Sequence, residues 1–203
     1  DRIEGGNVIK TQFALHNITQ EKLVAAQAKF QPIFASYPQP YVAVLLGGST
    51  NKYTLSLASM QKLIARLRSI QAATSGTLLI TVSRRTGDDN ARMLKDVFGD
   101  NQRVHIYDGI GENPYMGMLA LAECIFVTND SVNMMSEAAA TGRPLYILPL
   151  HGHRGTKPAR FADGLIASGV ARNWIGTWEQ WNYTMGDEMP RLAAEIRRRL
   201  QLR

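Results

Sequence analysis

The chain has 203 residues, 45% of them hydrophobic, with one cysteine and a formal net charge of +6. A chain of this size buries roughly 70% of the surface it exposes when unfolded, so it needs neither a disulfide nor a structural metal to fold, and Cys124 cannot form an internal bridge. No run of about 18 apolar residues exists to span a membrane, and the positive surplus lacks the aromatic-interleaved basic stripe of a nucleic-acid binder, which leaves phosphate groups or an acidic membrane surface as anionic partners.

The chain opens at Asp1 rather than methionine, as a piece of a longer protein would. Residues 1–40 are expected to lead in from a preceding domain or to add an element at the edge of the following one. They contain a candidate short strand at Val8–Thr11, a helix from Thr19 to about Phe34 with Glu21 in its first turn, and a proline-containing link at Tyr37–Pro40. Residues 41–203 form the main domain. Strands are predicted at Tyr41–Leu46, Thr77–Val82, Arg103–Tyr107, Cys124–Thr128 and Pro144–Leu148, each a short apolar run closed by Gly, Asp, Asn or Pro. Helices are predicted between them at Leu57–Ile70, Arg92–Phe98, Pro114–Leu121 and Val132–Thr141. The tail carries Trp174, Trp178 and Trp181 and ends in a helix over Pro190–Leu200. This alternation specifies an α/β fold, a doubly wound parallel sheet of the Rossmann-like kind.

In such a sheet ligands gather at the carboxyl ends of the strands. After the first strand, Gly47 and Gly48 allow close backbone approach, and Ser49, Thr50 and Asn51 offer donors. After the second come Ser83, Arg84 and Arg85, where a guanidinium fork would match phosphate oxygens or else pair with Asp88 or Asp89. The third loop, Asp108–Pro114, has proline where a dinucleotide fingerprint wants glycine, and reads better as a loop holding a nucleotide base against its backbone near Ile110.

After the fourth strand, Asn129, Asp130, Ser131 and Asn133 surround a helix start that would welcome a diphosphate, with Asp130 or Ser131 as its cap. Glu137 follows on a helix otherwise made mostly of Val, Met and Ala, where a carboxylate needs a partner: a ribose diol, or a structural group such as Arg143. The last loop carries His151, His153, Arg154 and Lys157. The histidines have no acidic or cysteine neighbour to complete a metal site, so no metal and no other cofactor is expected.

The run FVTNDSVNMMSEAAATGRPLYILPL, together with DRIEGGNVIKT, VAVLLGGSTNKY, LLITVSRRTGDDN and IYDGIGENPYMGMLALAE, resembles the mitochondrial-fission ELM-type family, whose bacterial members are often labelled nucleoside-diphosphate-sugar epimerases. The resemblance covers nearly the whole chain. It implies the C-terminal half of a GT-B glycosyltransferase-like protein, with an N-terminal domain of the same protein as partner across a cleft. More distantly, the same run resembles the donor-binding domain of the glycosyltransferase that adds N-acetylglucosamine to a lipid-linked peptidoglycan precursor, which implies a nucleoside-diphosphate sugar as ligand, Glu137 on its ribose and the helix start at 130–133 on its diphosphate. The chain names no catalytic residue, and the Tyr-x-x-x-Lys pair of a dehydrogenase-type epimerase is absent. The alternative is a non-catalytic GT-B-derived module acting at a membrane surface, where Arg154, Lys157 and Arg197–Arg199 would meet acidic lipid. Either role would place the protein in the cytoplasm, peripheral on the inner membrane.

Overall fold

The computed structural model describes residues 5–51, 53–150, 155–184 and 188–200. Six parallel strands form one sheet: β1 Tyr41–Leu46, β2 Thr77–Val82, β3 Val104–Tyr107, β4 Cys124–Thr128, β5 Leu145–Leu148 and β6 Ala171–Asn173. Their order is β3-β2-β1-β4-β5-β6, so the winding reverses between β1 and β4. All six residues of β1 and all five of β4 are buried, which explains their unbroken apolar character.

The helices are α1 Gln20–Phe34, α2 Leu57–Thr74, α3 Asp88–Phe98, α4 Tyr115–Leu121, α5 Val132–Ala139, α6 Lys157–Ala167 and α7 Glu188–Leu200. Side-chain oxygens of Thr19, Ser56, Ser131 and Thr156 cap α1, α2, α5 and α6 by accepting from amides in each first turn. One face of the sheet is covered by α1, α4, α5 and α6 through Phe30, Met118, Met135 and Leu165 among others. The other is covered by α2 and α3 through Met60, Leu67, Leu94 and Phe98.

The first 40 residues are built into this architecture. Leu23, Ala26, Phe30 and Phe34 of α1 are buried in the core, and α1 crosses α4 at Gly117, where a Cβ would lie 2.4 Å from Phe30. The segment at Val8–Thr11 is irregular rather than a strand, and Arg199 of α7 donates to its Val8 carbonyl. Besides a single 3-10 turn at Arg84–Thr86, two elements went unread in the sequence. Helix α6 begins at the Thr156 cap with proline in its first turn, and β6 is three residues long, too short to carry a period. The tryptophan tail closes the α2–α3 face: Trp174 packs edge-on to Phe126 and Tyr146, and Trp181 edge-on to Tyr146.

Candidate functional site

Register brings the carboxyl ends of the central strands level. Leu46 pairs with Val82 across β1 and β2, Leu45 with Val127 across β1 and β4, and Thr128 with Leu148 across β4 and β5. The loops after β1, β2, β4 and β5 therefore share one edge, with the reversal point between the loops at 47–51 and 129–131.

Asp130 organises that edge from within. Its side chain is fully buried and accepts from the Gly48 amide at 3.0 Å and from Thr128 Oγ1 at 2.6 Å, and it pairs with the Arg85 guanidinium at 2.9 Å. Neighbouring amides are used in the same way. Gly47 N donates to Thr128 Oγ1 at 2.8 Å, Ser49 N to Arg85 O at 2.8 Å, and Thr50 N to Tyr53 O at 2.7 Å. A Cβ at Gly47 would lie 2.1 Å from the Asp130 carboxylate oxygens, and one at Gly48 would lie 2.0 Å from Arg85 O. The glycines thus admit the chain's own carboxylate and backbone, and the amides of residues 47–50 point to protein acceptors.

The other expected residues divide accordingly. Ser83 Oγ accepts from Arg85 N at 3.2 Å, while Thr86 Oγ1 donates to Gly47 O at 2.6 Å. Arg85 takes Asp130 as partner, not Asp88 or Asp89; Asp89 pairs with Arg92 instead. Asn129 Oδ1 accepts from Leu150 N at 2.9 Å and ties the β4 loop to the end of β5. Ser131, not Asp130, caps α5. Turned outward are Arg84, with no partner among the described residues, and the exposed Asn51 and Asn133. Ile110 is also exposed, its amide donating to Asp108 Oδ1 at 3.1 Å. Lys157 is the first residue of α6.

Glu137 is half-buried on α5, six residues beyond Ser131 or about 9 Å along the helix. Arg143 is not its partner. The Tyr115 hydroxyl, from the first residue of α4, donates to Glu137 Oε2 at 2.6 Å. Sequence reading missed Tyr115; its one signal was position, directly after the predicted base-contacting loop. Among the described residues no cluster of three or more His, Cys, Asp or Glu is placed to hold a metal ion, and His151 and His153 lie outside them, as does Arg154. No described helix is long and apolar enough to cross a membrane.

Away from the strand ends, a cavity of about 600 Å³ lies between residues 11–20 and the start of α7, bordered by Phe13, Leu15, His16, Met189 and Pro190. Two of the three arginines that end α7 are engaged: Arg198 and Arg199 both bind Glu195, and Arg199 also donates to Gly6 O at 2.6 Å.

Known proteins resemble this arrangement at two levels. In fold, the UDP-GlcNAc 2-epimerase of Methanocaldococcus jannaschii, solved in complex with UDP-GlcNAc and UDP, superposes with a TM-score of 0.54 at 15% identity, covering 87% of this chain and 51% of that one. A putative UDP-N-acetylglucosamine 2-epimerase of Listeria monocytogenes gives 0.50 at 14% identity, over 82% and 38%. At these identities the likeness is one of fold, and it matches the expected Rossmann-like class.

In sequence, the mitochondrial fission protein ELM1 of Arabidopsis thaliana is 36% identical over 97% of this chain and 46% of its own length. An uncharacterized protein of Rickettsia prowazekii is 29% identical over 96% and 56%. The chain therefore spans about half the length of these relatives. The family profile described as mitochondrial fission ELM1 matches residues 1–200, and the chain belongs to that family.

Proposed function

We propose that this chain binds the nucleoside-diphosphate part of a sugar donor along α5, as the donor half of a glycosyltransferase-like protein. The observation that carries the reading is Glu137: a carboxylate on an apolar helix of the carboxyl-edge face, with one oxygen held by Tyr115 and no other partner among the described residues. A ribose diol supplies the donors that the remaining oxygen takes up. The diphosphate then lies at the amino end of α5, near Ser131 and Asn133, where the helix dipole favours negative charge. Arg84 reaches it from the β2 loop, and Lys157 stands at the amino end of the neighbouring α6.

The base rests against the loop carrying Ile110. Because the amides of residues 47–50 are already bonded within the chain, the donor is held from the β2, β4 and β5 loops rather than by the glycines. The fold likeness to an epimerase solved with UDP-GlcNAc and UDP supports the ligand class. The acceptor and the catalytic base belong, in this reading, to the further length that the relatives have. A lipid-linked acceptor would bring the whole protein to the cytoplasmic face of a membrane.

Isothermal titration with UDP, GDP and ADP and their sugar conjugates tests the proposal. Saturable one-to-one binding of one diphosphate, competed by its sugar conjugate, is expected. The absence of binding by all three would overturn it.

A further inference from the structure

Tyr115 and Glu137 come from different helices, yet their side chains meet at 2.6 Å. The place of Tyr115 is set from several sides. Its amide donates to Asn113 Oδ1 at 3.0 Å, Glu112 pairs with Lys29 on α1, and Gly117, half a turn on, seats the Phe30 ring. Burial and the adjacent carboxylate push the Tyr115 phenol far above its usual range, so it stays protonated and acts towards Glu137 as a donor alone. A glutamate side chain left to itself samples several rotamers, and ordering it on ligand binding costs conformational entropy. A fixed donor on one carboxylate oxygen removes that freedom before the ligand arrives.

We infer that Tyr115 is a positioning residue for ribose recognition: it anchors Glu137 Oε2 and so presents Oε1 to the 2′- and 3′-hydroxyls of a nucleoside diphosphate. The inference rests on the reading of Glu137 as the ribose-holding group. It also assigns the pair a specificity role, since an oriented carboxylate distinguishes ribose from deoxyribose while a freely rotating one does so weakly.

The test compares UDP, ADP and GDP with their 2′-deoxy forms by isothermal titration, using the base that binds most tightly. The unaltered chain should prefer the ribose form by about tenfold. Tyr115→Phe should bring that preference to about twofold or less while leaving the affinity for the deoxy form unchanged, because only the hydroxyl contact is lost. A merely structural role would weaken both forms alike. In a Glu137→Gln background, Tyr115→Phe should have no further effect on the ratio.

An undiminished ribose preference in Tyr115→Phe overturns the inference and leaves the reading of Glu137 standing. No ribose preference in the unaltered chain overturns that reading, and the inference with it. Tyr115→Met, which fills a similar volume without a hydroxyl, gives the same comparison where the phenylalanine variant folds poorly.

Discussion

Asp130 accepts a hydrogen bond from the Gly48 amide at 3.0 Å across 82 residues of sequence, and so closes the point where the sheet reverses its winding. The space beside Gly47 is filled by the same carboxylate, 2.1 Å from where a Cβ would stand. Neither group can yield cheaply, because Asp130 is fixed by three partners. Gly47→Ala and Gly48→Ala are therefore each expected to destabilise the fold by about 3 kcal/mol. The urea midpoint should fall with the slope unchanged. Gly164→Ala, where nothing lies within 4 Å of the added carbon inside α6, should instead gain up to about 1 kcal/mol.

Removing the carboxylate itself separates packing from polarity. Asp130→Ala leaves the Gly48 amide and the Thr128 hydroxyl buried without their acceptor, an expected loss of about 2–4 kcal/mol. Asp130→Asn retains an acceptor for one of them, and the half-exposed Arg85 can return to water, so its loss should be about half as large. Thermal melting of both variants checks the order; equal melting temperatures would mean that the ion pair to Arg85, not the buried acceptor, dominates.

Two glycines after a parallel strand announce a close approach to the backbone, and the sequence shows that an approach occurs without showing what approaches. The partner, Asp130, stood in view as a possible helix cap, but its distance in sequence from Gly48 hid the contact. The sheet, by contrast, was legible at β1, β2, β4 and β5, since strands buried on both faces are written as continuous apolar runs, while the half-buried β3 showed itself by its β-branched Val104 and Ile106 and the Asp-Gly that follows. Strand β6 failed that test because two of its three residues are exposed. Glu137 was legible as a lone carboxylate on an apolar helix, whereas Tyr115 was not, because an aromatic at a helix start is ordinary core material until its hydroxyl is placed.

Glu137→Ala should weaken nucleotide binding on the order of tenfold to a hundredfold, the value of one charged hydrogen bond. It also leaves the Tyr115 hydroxyl without its acceptor, so a modest fall in melting temperature is expected alongside. Glu137→Gln distinguishes the two effects. Its amide oxygen still accepts from Tyr115, so stability should be kept while affinity drops. A variant that melts lower yet binds as before would make Glu137 purely structural.

His105 on β3 lies edge-on to Phe34 at 5.1 Å and to Tyr37 at 5.7 Å. Burial there lowers its pKa below the ordinary value, partly opposed by Asp108. With the folded pKa below the unfolded one, the unfolded chain binds the proton more readily. The contribution of the neutral ring is thus complete above about pH 6.5 and declines as pH falls towards the folded value. Melting temperatures from pH 7.5 to 5 should fall, and His105→Phe should flatten that dependence. An unchanged pH profile in the variant would assign the acid sensitivity to other groups.

The last prediction concerns the arginines that end α7. Glu195 binds both Arg198 and Arg199, which hold its carboxyl down at about 2, so this cluster is neutralised in part from within at every physiological pH. Arg199 is further occupied by the carbonyls of Gly6 and Val8, which makes it a tether between the two ends of the chain. Arginines engaged in this way have little to offer acidic lipid, whose attraction is worth about 1 kcal/mol per free basic residue and fades with salt. Arg199→Gln should therefore raise amide exchange over residues 6–13, where Glu188 also holds the amides of Gln12 and Phe13. Replacing Arg198 and Arg199 together with glutamine should leave sedimentation with phosphatidylserine vesicles unchanged. If the unaltered chain pellets with acidic but not neutral vesicles, loses that pelleting as salt rises, and loses it again in the double variant, then these side chains exchange Glu195 for lipid.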